Sequence, residues 1–240
     1  YYLRYRFDPM PAPKLKPLGV TSKEVAWQIA NDFRREFEAE KAGSMIRKRN
    51  IGIEFYYSSL QLRANKTLKI IQEILKDKKD YKRAWQLNER HYGVLTGLNK
   101  VEMGKKLGED KVHEFRRSWD VKPEPLSKKS PYHPINIETY KDIPKEIIPD
   151  TESLKDTYER VLKYFKNEIE EKLIKENILI SAHGNSIRAL CKYLLNLDNN
   201  KISKLEIPTG NPLIIDLNED LRVKNCEYLD NDRAKDLLVF

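Results

Sequence analysis

The sequence is poor in the residues that staple a chain or hold metals. Its 240 residues contain only two cysteines, Cys191 and Cys226, too few for a disulfide framework. One falls in a helix-like stretch and the other in a strand-like one, so both are expected to be thiols in a reducing, cytoplasmic setting. There are four histidines, with no zinc-like Cys/His spacing and no acidic metal cluster, so no metal is expected. The nine glycines form no Gly-rich phosphate-binding loop. No apolar run approaches the roughly 20 residues of a membrane-spanning helix, and no membrane partner is expected. The opening Tyr1-Tyr2-Leu3-Arg4-Tyr5 lacks the apolar core of a signal peptide. It also lacks an initiating Met, so a missing true start is expected.

Aromatic residues and charge are plentiful. Seven Phe, three Trp and thirteen Tyr are spread through periodic segments, which rules out disorder for most of the chain. The formal net charge is +8, but basic residues alternate with acids, as in Lys166-Asn-Glu-Ile-Glu-Glu-Lys172. The cluster Arg47-Lys48-Arg49 is short and stands alone. That pattern favours a solvated surface over a nucleic-acid partner. Part of the excess can also be gathered in one pocket for an anionic small molecule.

Period and punctuation give the layout. Pro9, Pro11, Pro13 and Pro17 exclude a regular helix or a central strand over residues 9–20. Thr21 and Glu24 form a capping box, and Val25, Ile29, Phe33 and Phe37 carry a helix to about Ala42. Ile51–Tyr57 is a strand, closed by Ser58-Ser59, and a helix follows to about Lys76. A short strand near Ala84 becomes a loop running to Lys100. Six prolines between 122 and 150 mark a long ordered loop or lid. A long helix runs from about Leu154 to Leu173, with Thr151 or Ser153 near its start. Asn177–Ala182 is a strand of the fully buried, parallel kind, and His183-Gly-Asn-Ser186 turns the chain into another helix. Pro212–Leu217 and Arg222–Tyr228 are late strands. Strands alternating with helices imply one α/β domain over 1–240, a three-layer αβα sandwich with a mostly parallel central sheet.

Four groups of residues carry chemistry. His183, at a strand's carboxyl end and followed by Gly184 and Asn185 at a helix N-terminus, sits where open sheets bind anions. Glu89-Arg90-His91-Tyr92-Gly93 sets a carboxylate beside a guanidinium and a phenol, and a solvated loop is the alternative. Arg116-Arg117 either clamp an anion or lie on the surface. Arg63, one turn into the helix after Ser58-Ser59, either faces the same pocket or lies outside it. With Lys100 these basic groups surround a single carboxylate, Glu89, a composition suited to phosphoryl transfer.

Leu87-Asn-Glu-Arg-His-Tyr-Gly93, Gly97-Leu-Asn-Lys100, Arg116-Arg-Ser118, Thr151-Glu-Ser-Leu-Lys-Asp-Thr157, Ala182-His-Gly-Asn-Ser186 and Ile207-Pro-Thr-Gly210 closely resemble cofactor-dependent phosphoglycerate mutases of the histidine phosphatase superfamily. The resemblance runs from about Ile51 to Tyr228. It implies that Glu89 donates and accepts a proton and that His183 stabilises the phosphoryl group in flight. By the same resemblance Arg63, Arg90, His91, Tyr92, Lys100, Arg116, Arg117, Gly184 and Asn185 bind the substrate. It further implies 2,3-bisphosphoglycerate as cofactor, the interconversion of 3- and 2-phosphoglycerate in glycolysis, and a homo-oligomer.

One motif departs from the pattern. The family's first strand ends in Arg-His-Gly, whose His is the nucleophile, and this sequence contains no Arg-His-Gly. Its divergent first 20 residues offer only Leu3-Arg4-Tyr5-Arg6, with Tyr5 in the nucleophile's register and Arg4 before it. A phenol with a pKa near 10 is a poor substitute for an imidazole near 6.5. Three readings stay open: a mutase, a catalytically inactive mutase-like protein that binds phosphorylated small molecules or acts as a scaffold, and a phosphatase of the same superfamily.

Overall fold

The computed structural model describes residues 2–5, 14–17, 22–98 and 100–234. Strands β1 (Tyr2–Tyr5) and β2 (Lys14–Pro17) pair antiparallel as a separate ribbon. Tyr5 therefore lies on a strand outside the central sheet. The side chains of Arg4 and Tyr5, and residue Thr21, lie outside the described residues.

Helix α1 (Lys23–Arg49) is capped by Ser22, whose side chain accepts from the Val25 amide at 3.4 Å. It continues past Ala42 because Ala39, Ala42 and Ile46 keep its buried stripe running. Its partner is α2 (Leu62–Leu75). The two approach closely at Gly43, where a Cβ would stand 3.0 Å from Ile74 and 3.3 Å from the Ile71 backbone. Asn50, in the left-handed region at φ 53°, ends α1.

The central sheet is parallel, in the order β4 (Tyr81–Ala84), β3 (Phe55–Ser59), β5 (Ile178–Ser181). Side chains alternate across it. Tyr56 and Leu179 join Ala42, Ile46, Leu68 and Ile71 of α1 and α2 on one face. Tyr57, Ile178 and Ile180 meet α5 (Leu154–Glu168) and α6 (Gly184–Leu194) on the other. The expected three layers are thus present. Strand β3 is shifted toward its carboxyl end relative to the sequence expectation, because the buried Ser58 and Ser59 still pair with Arg83 and Ala84.

Two expectations need correction. Ile178–Ile180 are half-buried rather than fully buried, since β5 is the edge of its sheet among the described residues. The late strands β6 (Leu213–Leu217) and β7 (Val223–Tyr228) form their own antiparallel pair, as strands joined by a short turn must.

The remaining elements are short. Helices α3 (Lys100–Leu107) and α4 (Glu109–Arg117) are separated at Gly108, whose φ is +81°. Helix α5 opens on a Ser153–Asp156 capping box and ends at Glu168, short of the expected Leu173, in a 3-10 segment over Glu170–Ile174. Helix α7 (Asn199–Lys204) leads to β6. The proline-rich 122–150 stretch is ordered by 3-10 turns and by Tyr140, Ile143 and Ile148 packing on Leu60 and Trp85.

Candidate active site

The carboxyl ends of β3 and β5 and the segment after β4 meet at one place. Ser59 ends β3, His183 follows β5 as the N-cap of α6, and Glu89 follows the turn after β4. Asn88 fixes that junction by accepting from the Leu60 amide at 2.8 Å. This is the position at which open α/β sheets present ligand-binding groups.

His183 is 5% exposed and both ring nitrogens are engaged. Arg63 Nε lies 2.9 Å from Nδ1, and Ser59 Oγ lies 2.8 Å from Nε2. An arginine can only donate, so Nδ1 carries the lone pair and Nε2 the proton, which it gives to Ser59. Burial first, and then the Arg63 and Arg160 charges, lower the imidazole pKa to about 3. The ring is therefore neutral at pH 7.

That depression has a sign. The unfolded chain protonates this ring near pH 6.5 and the folded one near 3, so stability is complete above 6.5 and falls as the pH drops toward 3. Between pH 7 and 5 the loss is expected to be about 2 kcal/mol. Urea unfolding of the parent and of His183→Asn at both pH values checks it: the difference between them should shrink at pH 5.

Glu89 faces a wall of donors. Its Oε1 accepts from the Arg90 amide (2.9 Å), Asn185 Nδ2 (2.9 Å) and the Asn185 amide (3.4 Å). Its Oε2 has Arg63 Nη2 at 3.8 Å. Asn185 Nδ2 also meets the Tyr92 hydroxyl at 2.9 Å. Gly184 opens α6 with no atom within 4 Å of where a Cβ would stand, leaving space in front of the helix N-terminus.

The arginines differ in kind. Arg63 is half-exposed. Arg90 is 2% exposed: it stacks 4.4 Å over the Tyr92 ring and donates to the Phe115 carbonyl. It thereby ties the end of α4, which carries Arg116 and Arg117, to the Glu89 segment. Arg117 pairs with Glu206. Lys100 begins α3, and its side chain lies outside the described residues.

His91 points away from Glu89. Its Nδ1 donates to Glu152 at 2.9 Å, and its Nε2 accepts from the Tyr140 hydroxyl at 3.3 Å. Glu152 in turn is gripped by Arg160, with both contacts at 2.7 Å. Sequence reasoning missed Ser59, Arg188, Glu206, Tyr140 and the Glu152–Arg160 pair. Ser59 had a signal in its place at a strand's carboxyl end, and Glu152 in the Thr151–Thr157 motif. Among the described residues no group of three His, Cys, Asp or Glu is placed to hold a metal ion. A cavity of about 1000 Å³ lies elsewhere, beside Tyr193, Leu217 and Cys226, and shares no lining residue with this site.

The parallel sheet between helix layers, with an imidazole, a carboxylate and arginines at its carboxyl edge, defines an anion-handling site. The profile of the histidine phosphatase superfamily (branch 1) matches residues 36–133 and 129–226, and the chain belongs to that superfamily. Within it the chain groups with phosphoglycerate mutases. It is 66% identical over 206 residues to the 2,3-bisphosphoglycerate-dependent phosphoglycerate mutase of Pelagibacter ubique (strain HTCC1062), covering 85% of this chain and 87% of that one. It is 45% identical over 197 residues to the enzyme of the same name from Borreliella burgdorferi (strain ZS7), covering 81% and 79%. A mycobacterial glucosyl-3-phosphoglycerate phosphatase, solved with VO3, shares the fold at a TM-score of 0.56 and 18% identity, over 80% of this chain and 82% of that one. No helix among the described residues is long and apolar enough to cross a membrane.

Proposed function

We propose that this pocket binds phosphoglycerates and serves the 2,3-bisphosphoglycerate-dependent interconversion of 3- and 2-phosphoglycerate. The supporting observation is the Glu89 carboxylate standing within reach of Arg63, with a neutral imidazole behind it. The residues fit a doubly phosphorylated acid: Arg63, Arg116, Arg117 and Lys100 supply positive charge, while the Tyr92 hydroxyl and the Gly184 amide supply neutral donors and Asn185 orients Glu89. Bound there, 2,3-bisphosphoglycerate supplies the phosphoryl group that the reaction moves.

The chain's own residues divide the remaining work. Glu89 takes the proton from the attacking hydroxyl and returns it to the leaving oxygen. His183, neutral and held between Arg63 and Ser59, offers no charge repulsion to the arginines and fixes the Arg63 guanidinium toward Glu89. Arg90 and His91 act indirectly, the first by holding α4 and the second by holding the Glu89 segment to residues 140 and 152. The 122–150 stretch, pinned through Tyr140 to Asn88 at 2.7 Å, is the lid of this pocket. The chain works in the cytoplasm and as a homo-oligomer.

Of the other described imidazoles, His133 contacts Asp150 and His113 is exposed on α4. None stands beside Glu89, and the Nδ1 lone pair of His183 is occupied by Arg63. Turnover by this chain alone is therefore expected to be on the order of 10³-fold or more below that of its relatives, as befits a missing nucleophile. Incubation with 2,3-bisphosphoglycerate followed by intact-mass analysis is expected to show no acid-labile phosphate. A stoichiometric phosphohistidine overturns this part.

The Arg117–Glu206 pair makes a second expectation. A ligand anion at Arg117 competes with Glu206 for the guanidinium. Glu206→Gln should tighten 3-phosphoglycerate binding by about threefold, the scale of a solvent-exposed ion pair, in a calorimetric titration.

A further inference from the structure

Arg188 lies on α6 one turn beyond Asn185 and is 4% exposed. Its three nitrogens have distinct fates. One Nη donates to Asn185 Oδ1 at 3.0 Å, the other to the Ile202 carbonyl at 2.5 Å, and Nε has no partner among the described residues. Burial first, then the nearby Arg117 and Arg90, lower its pKa to about 10, which still leaves it charged at pH 7.

We infer that Arg188 is a positioning residue that selects the carboxylate oxygen of Glu89 used for proton transfer, acting through the Asn185 carboxamide. This rests on the role proposed above for Glu89. A carboxamide has two ends of nearly equal shape, one accepting and one donating. A guanidinium can only donate, so it holds Oδ1 toward itself and turns Nδ2 outward, onto Glu89 Oε1 and the Tyr92 hydroxyl. The reversed amide would set an oxygen against the Glu89 carboxylate.

With Nδ2 outward, Oε1 receives three N–H donors and has no capacity left for a proton. Oε2, whose charged neighbour is Arg63 Nη2 at 3.8 Å, is the oxygen that exchanges one. Ile202 anchors the device, since its carbonyl at the start of the last turn of α7 fixes the far side of the guanidinium. The role demands a donor-only side chain at 188, and neither volume nor apolarity replaces it.

The donor-only requirement is what the test reads. The chain is labelled with 15N-asparagine, and the Asn185 carboxamide is assigned by its loss in Asn185→Ala. In the parent its protons should exchange at least about tenfold more slowly than those of an exposed Asn, the effect of one charge-assisted hydrogen bond. Arg188→Lys, donor-only, keeps that protection. Arg188→Gln, which can present either end, and Arg188→Met, which presents none, lose it. In both, the 3-phosphoglycerate Kd rises about tenfold, while Arg188→Gln in an Asn185→Ala background adds nothing further.

Unchanged protection in Arg188→Gln, or equal loss in Arg188→Lys and Arg188→Gln, overturns the inference. The Lys and Gln pair carries the comparison if Arg188→Met does not fold. If the parent itself fails to bind 3-phosphoglycerate, the phosphoglycerate reading falls. The carboxamide signature still decides whether Arg188 orients Asn185.

Discussion

Arg160→Ala is expected to lower the unfolding free energy by about 3–5 kcal/mol, the scale of leaving one member of a buried ion pair alone. Glu152 is 2% exposed, and Arg160 contacts both of its oxygens at 2.7 Å. The same carboxylate accepts from the His91 amide and ring, both at 2.9 Å. Arg160 also donates to the Gln86 carbonyl at 2.7 Å, so it ties α5 to the chain just before Glu89. Burial alone would push the Glu152 carboxyl up, but Arg160 and His91 outweigh it and hold the group well below its ordinary range. Removing the guanidinium leaves that burial uncompensated. Urea unfolding at pH 7 measures the effect. Replacing both partners, Glu152→Leu with Arg160→Met, should cost much less than Arg160→Ala, because no charge is then stranded. A loss under about 1 kcal/mol for Arg160→Ala would show that water reaches Glu152.

Arg63→Ala is expected to weaken 3-phosphoglycerate binding by about 100-fold, corresponding to one or two charge-assisted hydrogen bonds to an anion. Arg63 joins the parts of the site: its Nε holds His183 at 2.9 Å, and its Nη2 faces Glu89 at 3.8 Å. Its ion pair with Glu89 is long and half-exposed, so it stabilises the fold little, and the variant should unfold near the parent. The Arg63 charge also helps keep His183 neutral. Its removal should move the imidazole's titration upward, which NMR of the ring protons reads directly. Binding within threefold of the parent would remove Arg63 from the site.

Local pattern carried much of this. The strand at 178–181, the turn at His183 and the α6 helix follow from an apolar run, small residues and amphipathic spacing. The start of α5 was legible only as Thr151 or Ser153, and the reciprocal hydrogen bonds with Asp156 decide for Ser153. Pairing was less legible. Nothing in the composition of Pro212–Leu217 distinguishes a strand of a parallel sheet from one arm of a hairpin, and the short turn to β7 decides it. The end of α1 was hidden because the apolar spacing of Val25, Ile29, Phe33 and Phe37 gives way to small residues, and at Gly43 the missing side chain lets α2 come close.

The site shows the same division. Glu89, Arg63, Asn185 and His183 converge, each at or near an element's end, where sequence position predicts approach. His91 follows Glu89 by two residues, where a regular strand would set both side chains on one side, yet it turns to Glu152 because the 88–92 segment is irregular rather than a strand. Arg188 and Arg160 were invisible because each reads as an ordinary helical arginine. Only packing shows that 188 sits under Asn185 and that 160 faces Glu152. Arg90 was legible by type alone: packing adds that one Nη braces α4 through the Phe115 carbonyl while Nε and the other Nη have no partner among the described residues.

The central claim is that the cluster around Glu89 and His183 is a phosphoglycerate-binding site. Calorimetric titration of the intact chain with 3-phosphoglycerate at low ionic strength tests it most directly. A Kd below about 1 mM, lost in Arg63→Ala and weakened in Arg116→Ala, is the predicted result. No heat of binding at millimolar ligand, or an Arg63→Ala chain that binds like the parent, would contradict it.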